Sequence, residues 1–129
     1  MAEKDVIRTD KAPGPFQGAP YNQAIRVGGL VFVAGQLGIS LETGTLVGAG
    51  VAEQTEQIMR NMAAILEAAG SGLDRLVKTT VFLMDLGDFG AMNEVYAQHV
   101  GDRPPARSTV QVSGLPSGAL VEIEAIAHV

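Results

Sequence analysis

The sequence predicts a two-layer α+β domain, a mixed sheet with two helices on one face. Three observations carry that expectation. Two stretches repeat apolar residues at helical spacing. Five or so short runs are rich in Val, Ile, Leu and Thr. Gly or Pro punctuates the joins between them. At 129 residues the chain has room for one domain, residues 1–129, and none for a second core.

Residues 1–20 are rich in Pro, Gly and charge and read as an irregular lead-in. Ile25-Arg26-Val27 and Leu30-Val31-Phe32-Val33 flank Gly28-Gly29, the pattern of a hairpin. Glu42-Thr43-Gly44-Thr45 reads as a turn or a second small hairpin. A helix follows over 51–69, with Val51, Thr55, Ile58, Met62, Ile65, Leu66 and Ala69 on one face. Its other face carries Glu53, Gln54, Glu56, Gln57, Arg60 and Glu67, and Gly70 stops it. Leu76 to Met84 is apolar on both parities, which suits a strand covered on both faces. Asp88 reads as the N-cap of a second helix carrying Phe89, Met92, Val95, Tyr96 and His99, ended by Gly101. Pro104-Pro105 then breaks the chain. Ala106 to Val112 and Leu120 to Ala127 read as strands joined by a turn at Gly114 to Gly118. One helix layer covers one sheet face, so the other face calls for a second copy of the chain.

Composition narrows the chemistry. The chain has no cysteine, which excludes a disulfide scaffold, a thiol nucleophile and Cys-ligated metal. His99 and His128 fall on different elements without a local partner at ligand spacing, so no metal site is expected. The net charge of −5, with no run of Lys or Arg, argues against nucleic acid as a partner. The start, Met1-Ala2-Glu3-Lys4-Asp5, is polar, and the longest strongly apolar run spans only Leu30 to Ala34. A membrane helix needs about 20 such residues. The expectation is a cytoplasmic protein with no membrane partner.

Charge inside apolar strands is the main chemical signal. Arg107 lies in Ala106-Arg107-Ser108-Thr109-Val110, and Glu122 and Glu124 share one parity of the last strand. The bland reading is solvated charge on an edge strand. The sharper reading is a cleft holding one guanidinium and one carboxylate. The first grips a substrate carboxylate in a bidentate fork, and the second passes protons to and from water. Asn93 on the second helix and Tyr21 after Pro20 each have an ordinary surface reading. For Asn93 it is a solvated helix position, and for Tyr21 an aromatic lid with its hydroxyl in water. Gly48-Ala49-Gly50 offers a weak anion site at a helix start.

Several stretches together resemble the reactive intermediate deaminase family, also called the Rid, YjgF or L-PSP family. They are Pro20-Tyr21-x-Gln23-Ala24, Gly35-Gln36-Leu37, Ala63 to Gly70 and Val77-Lys78-Thr79-Thr80-Val81-Phe82-Leu83. After them come Asp88-Phe89-x-x-Met92-Asn93-x-x-Tyr96, Pro105 to Val110 and Glu122 to Ala127. The resemblance implies a chorismate-mutase-like fold and a homotrimer whose sheets line a central barrel, with sites between subunits. It implies hydrolysis of enamines and imines, such as 2-aminoacrylate, 2-iminopropanoate and 2-iminobutanoate, to 2-keto acids and ammonia, without cofactor or metal. By matching position, Arg107 takes the role of carboxylate-binding Arg and Glu122 that of the carboxylate that positions water. Tyr21, Gly35, Phe89, Asn93 and Thr109 line the cleft, Thr109 through its backbone. Ala34 stands where many members carry Ser, and Ala19 alters the Gly-Pro-Tyr approach.

Two other functions compete. A non-enzymatic trimer sensing 2-keto acids needs Arg107 but not Glu122. Ribonuclease or translation inhibition, attached to some relatives, needs a basic track that the acidic balance does not supply.

Overall fold

The computed structural model describes residues 3–129. Its strands are β1 (Asp5–Ile7), β2 (Ala24–Val27), β3 (Leu30–Gln36), β4 (Leu76–Leu83), β5 (Ala106–Gln111) and β6 (Val121–His128). The helices are α1 (Val51–Ala68) and α2 (Phe89–Val100). The strands form one sheet in the order β1-β2-β3-β6-β4-β5. Only β4 and β5 pair in parallel, joined through α2, and the other pairs are antiparallel. The two-layer α+β expectation is met, with a mixed sheet.

The Gly28-Gly29 hairpin forms as expected. Both glycines have positive φ, 57° and 80°, and Val27 pairs with Leu30 across them. That two-residue turn matches the right-handed strand twist, and a side chain at either position would be strained. The irregular lead-in is partly wrong. Residues 1–2 lie outside the described residues, but Asp5–Ile7 adds a strand to β2, and a short 3-10 turn spans Phe16–Gly18.

Helix α1 buries Val51, Thr55, Ile58, Met62, Ile65 and Leu66 on the face the spacing predicts. Each fully buried Ile or Leu contributes roughly 1.5–3 kcal/mol relative to exposure. Gln54 does not belong to the solvated face. It is buried, donates to the Gly48 carbonyl at 2.9 Å and accepts from the Leu120 N–H at 2.9 Å. Asn61, also buried, donates to the carbonyls of Leu37 and Ile39. The helix face nearest these loops must supply donors that the loop backbone lacks. On the exposed side, Glu56 pairs with Arg60 and also with His99 of α2, both at 2.8 Å.

Asp88 stands at the start of α2 but makes no side-chain cap. The preceding Asp85 accepts from the Gly87 N–H and stabilises the turn into the helix. The N-terminus of α1 is likewise closed by its own Glu53, which accepts from the Gly50 N–H at 2.9 Å. The anion site considered at Gly48-Ala49-Gly50 is therefore filled from within.

In β6, Val121, Ile123, Ala125 and Ala127 are buried, whereas Glu122, Glu124 and His128 between them are not. The first set faces the helices. The strand Leu76–Leu83 is not buried on both faces of a single chain. Leu76, Thr79, Val81 and Leu83 are buried, and a register shift near Val77 sets the parity. Phe32 on β3 and Val110 on β5 lie on the face away from the helices, 42% and 43% exposed.

Candidate active site

Glu122 lies on β6, between β3 and β4 in the sheet. An edge-strand account of its charge is thereby excluded. Its side chain borders a cavity of about 780 Å³, walled by the lead-in loop, the start of the β3–α1 loop and Pro116. Tyr21 and Glu122 are the ionisable residues of that wall. Burial of the carboxyl, and after it the charge of Glu124, pushes the Glu122 pKa above its ordinary 4.5.

Gly35 explains how that carboxyl fits. The β3–β6 register shifts between Val33 and Gln36, and the irregular stretch brings the Gly35 backbone against Glu122. A Cβ on Gly35 would fall 2.5 Å from Glu122 Oε2 and 2.8 Å from Cδ. Only glycine leaves room for the carboxylate there.

Tyr21 borders the same cavity and is 41% exposed. Its hydroxyl accepts a hydrogen bond from the Phe16 N–H, so it ties down the lead-in turn rather than simply facing water. Buried Gln23 reinforces this. It accepts from the Thr9 N–H and donates to the carbonyls of Thr9, Ala12 and Pro13. Sequence reasoning gave Gln23 no role, although its place two residues after Tyr21 was the available signal.

A second group gathers between β5 and α2. The Arg107 guanidinium carbon lies 5.4 Å from the Phe89 ring centroid and 4.9 Å from that of Tyr96. Both are cation–π distances. Asn93 lies one turn after Phe89 on α2. Its Oδ1 is buried without a hydrogen-bond partner among the described residues, so it is not a solvated helix position. Thr109 follows Arg107 by two residues on the same face of β5, whose outer edge is unpaired.

The two groups do not meet within one chain. Arg107 is the register neighbour of Thr79, and Glu122 that of Phe82. Thr79 and Phe82 project from opposite faces of β4. Arg107 therefore lies on the helix side and Glu122 on the open side. A single-chain cleft holding both, the sharper expectation from the sequence, is not what forms. Tyr21, Gly35 and Glu122 border the cavity, and Phe89, Asn93, Arg107 and Thr109 belong to the group between β5 and α2.

His99 contacts Glu56, and His128 lies against the Val129 carbonyl. No three His, Asp or Glu side chains cluster at metal-binding distances among the described residues. No helix among them is long and apolar enough to cross a membrane.

The sequence and its fold, a mixed sheet under two helices, match proteins already known. The family profile described as Endoribonuclease L-PSP matches residues 9–129. A RutC family protein of Pyrococcus abyssi is 52% identical over 125 residues, covering 97% of this chain and 97% of its own. Human 2-iminobutanoate/2-iminopropanoate deaminase is 46% identical over 122 residues, covering 95% of this chain and 88% of its own. The crystal structure of RidA from an Antarctic Psychrobacter superposes with a TM-score of 0.92 at 45% identity, over 97% of this chain and 99% of that one. The chain belongs to the reactive intermediate deaminase (Rid, L-PSP) family.

Proposed function

We propose that this protein is a cytoplasmic hydrolytic deaminase of reactive imines and enamines. Its substrates are 2-iminopropanoate, its tautomer 2-aminoacrylate, and 2-iminobutanoate, and its products are 2-keto acids and ammonia. It acts as a homotrimer around a central barrel, with Arg107 of one subunit completing the site that holds Glu122 of the next. The observation that carries this reading is the placement of Glu122, half-buried in a cavity against Gly35 with its pKa raised.

The imine carbon is already electrophilic. Arg107 grips the substrate carboxylate and orients the C=N bond. Glu122 takes a proton from water as the water adds to the protonated imine, giving a neutral carbinolamine. Returning that proton to nitrogen lets the C–N bond break, and the hydroxyl proton passes to Glu122 as the carbonyl forms and ammonia leaves. Tyr21 and Gly35 shape the carboxylate half, and Phe89, Asn93 and the Thr109 backbone shape the other. A pure 2-keto acid sensor would have no use for the half-buried Glu122 carboxyl beside the cavity. The net charge of −5 gives no support to ribonuclease activity.

The test is complementation. Imines are generated in situ by an amino acid oxidase, and keto acid release is followed. Arg107→Ala and Glu122→Ala are each expected to be inactive while still assembled. Co-expressed in equal amounts, they should recover about a quarter of the wild-type activity, because that share of interfaces pairs an intact Arg with an intact Glu. Full activity of Arg107→Ala alone, or an inactive co-assembled mixture, would sink the proposal.

A further inference from the structure

We propose that Tyr96 and Thr79 form a positioning pair for Arg107, holding its guanidinium where it receives the carboxylate of a small 2-imino acid. This rests on the reading of Arg107 as the carboxylate-binding residue. Neither Tyr96 nor Thr79 has a role in the mechanism above.

The geometry spans three elements. Arg107 is on β5, which has a neighbour on one side only, and its register partner on β4 is Thr79. Tyr96 comes down from α2 over both strands. Its ring lies beneath the Arg107 guanidinium at 4.9 Å, and its hydroxyl meets the Thr79 hydroxyl at 2.6 Å. The tyrosine therefore ties the cation's seat to the strand beside it. Phe89 sits two helical turns earlier on the same face and adds a second ring at 5.4 Å. Phe89 is exposed, however, whereas Tyr96 is buried, so Tyr96 is the fixed part of the seat.

Thr79 has no other evident reason to be polar. It is fully buried on the helix side of the sheet, at a position flanked by buried Val81 and Leu76. Valine has nearly the same shape and would pack there without a hydroxyl to satisfy. The two hydroxyls satisfy each other, which removes the cost of burying either alone. Burial raises the Tyr96 phenol above its ordinary 10.0, although the Thr79 bond and the Arg107 charge pull it down. Tyr96 thus stays neutral and leaves the cation unneutralised. Among the described residues Arg107 forms no ion pair, whereas Arg26 and Arg60 each do. An arginine side chain has many rotamers, and one held on a fixed ring loses less freedom when a carboxylate arrives.

The experiment compares Tyr96→Phe, Thr79→Val, their double variant and Arg107→Ala. KM and kcat are measured with 2-iminobutanoate formed in situ, and 2-ketobutyrate binding by calorimetry. Tyr96→Phe keeps the ring and loses the hydroxyl. Each single variant is expected to raise KM and weaken 2-ketobutyrate binding by about tenfold, with little change in kcat. The double variant should be no worse than either, because both remove the same bond. Thr79→Ser, which restores a hydroxyl, should return KM close to wild type and covers the case in which Thr79→Val folds poorly. Unchanged KM and binding in Tyr96→Phe and Thr79→Val, beside an impaired Arg107→Ala, would overturn this inference alone. Unchanged 2-ketobutyrate binding in Arg107→Ala would overturn the carboxylate reading and this inference with it.

Discussion

Replacing Gly35 with alanine should separate catalysis from stability. The new Cβ would stand 2.5 Å from Glu122 Oε2, 2.8 Å from Cδ and 3.2 Å from Cγ, where ordinary contact begins at 3.4 Å. The carboxylate must therefore retreat by about 0.9 Å at its oxygen and less towards its stem. The atoms that must move are the free end of a flexible side chain beside a cavity, so the fold can absorb the change. Catalysis cannot, because misplacing a reacting group by about 1 Å costs on the order of 10²-fold in rate. The expected outcome is a loss near that size in kcat for imine hydrolysis, with a melting temperature close to wild type. Gly38→Ala supplies the contrast. Its Cβ would fall 2.8 Å from the Cα and carbonyl oxygen of Gln54, which are backbone atoms of α1 and cannot swing aside. That variant should lose stability first, by about 1–3 kcal/mol from overpacking. A fully active Gly35→Ala protein would refute the claim that Gly35 sets the position of Glu122.

Three more outcomes follow from the same geometry. Because the Glu122 pKa is raised, the acid limb of kcat/KM should lie above pH 4.5. The ionised carboxyl burdens the fold fully above its folded pKa and not at all below its unfolded one, so Glu122→Gln should melt higher at neutral pH and no higher in acid. A Glu122→Gln protein that melts lower at pH 7 would contradict the desolvation argument. Gln54→Ala strands the Gly48 carbonyl and the Leu120 N–H, and should cost about 2–4 kcal/mol in urea unfolding with an unchanged slope.

Much of this was legible in the sequence wherever the signal is local. The paired glycines of the hairpin, the apolar stripe of α1 and the stops at Gly70 and Gly101 depend on neighbours a few residues away. Strand β1 was not legible, because Asp5-Val6-Ile7 is too short to show alternation and forms only by pairing with β2. Gln54 reads as solvent-facing because a polar residue on an amphipathic helix usually is. Its partners, the Gly48 carbonyl and the Leu120 N–H, come from loops whose approach no periodicity reveals. The site residues were found as types and positions. Their grouping was not, because parity relates residues within a strand and says nothing about how β5 and β6 are phased across β4. Two registers, Thr79 with Arg107 and Phe82 with Glu122, supply that information.

Placing Arg107 and Glu122 on opposite faces of one sheet has a kinetic corollary. If, as proposed, Arg107 of one subunit works with Glu122 of the next, a lone subunit can use neither with the other, and catalytic output is governed by mass action among subunits. Specific activity should be constant at high protein concentration and collapse on dilution past the dissociation point, while each fold stays intact. A ligand bridging the two halves would push that point lower, because it binds the assembled form alone. The substrate would then help to hold together the catalyst that destroys it.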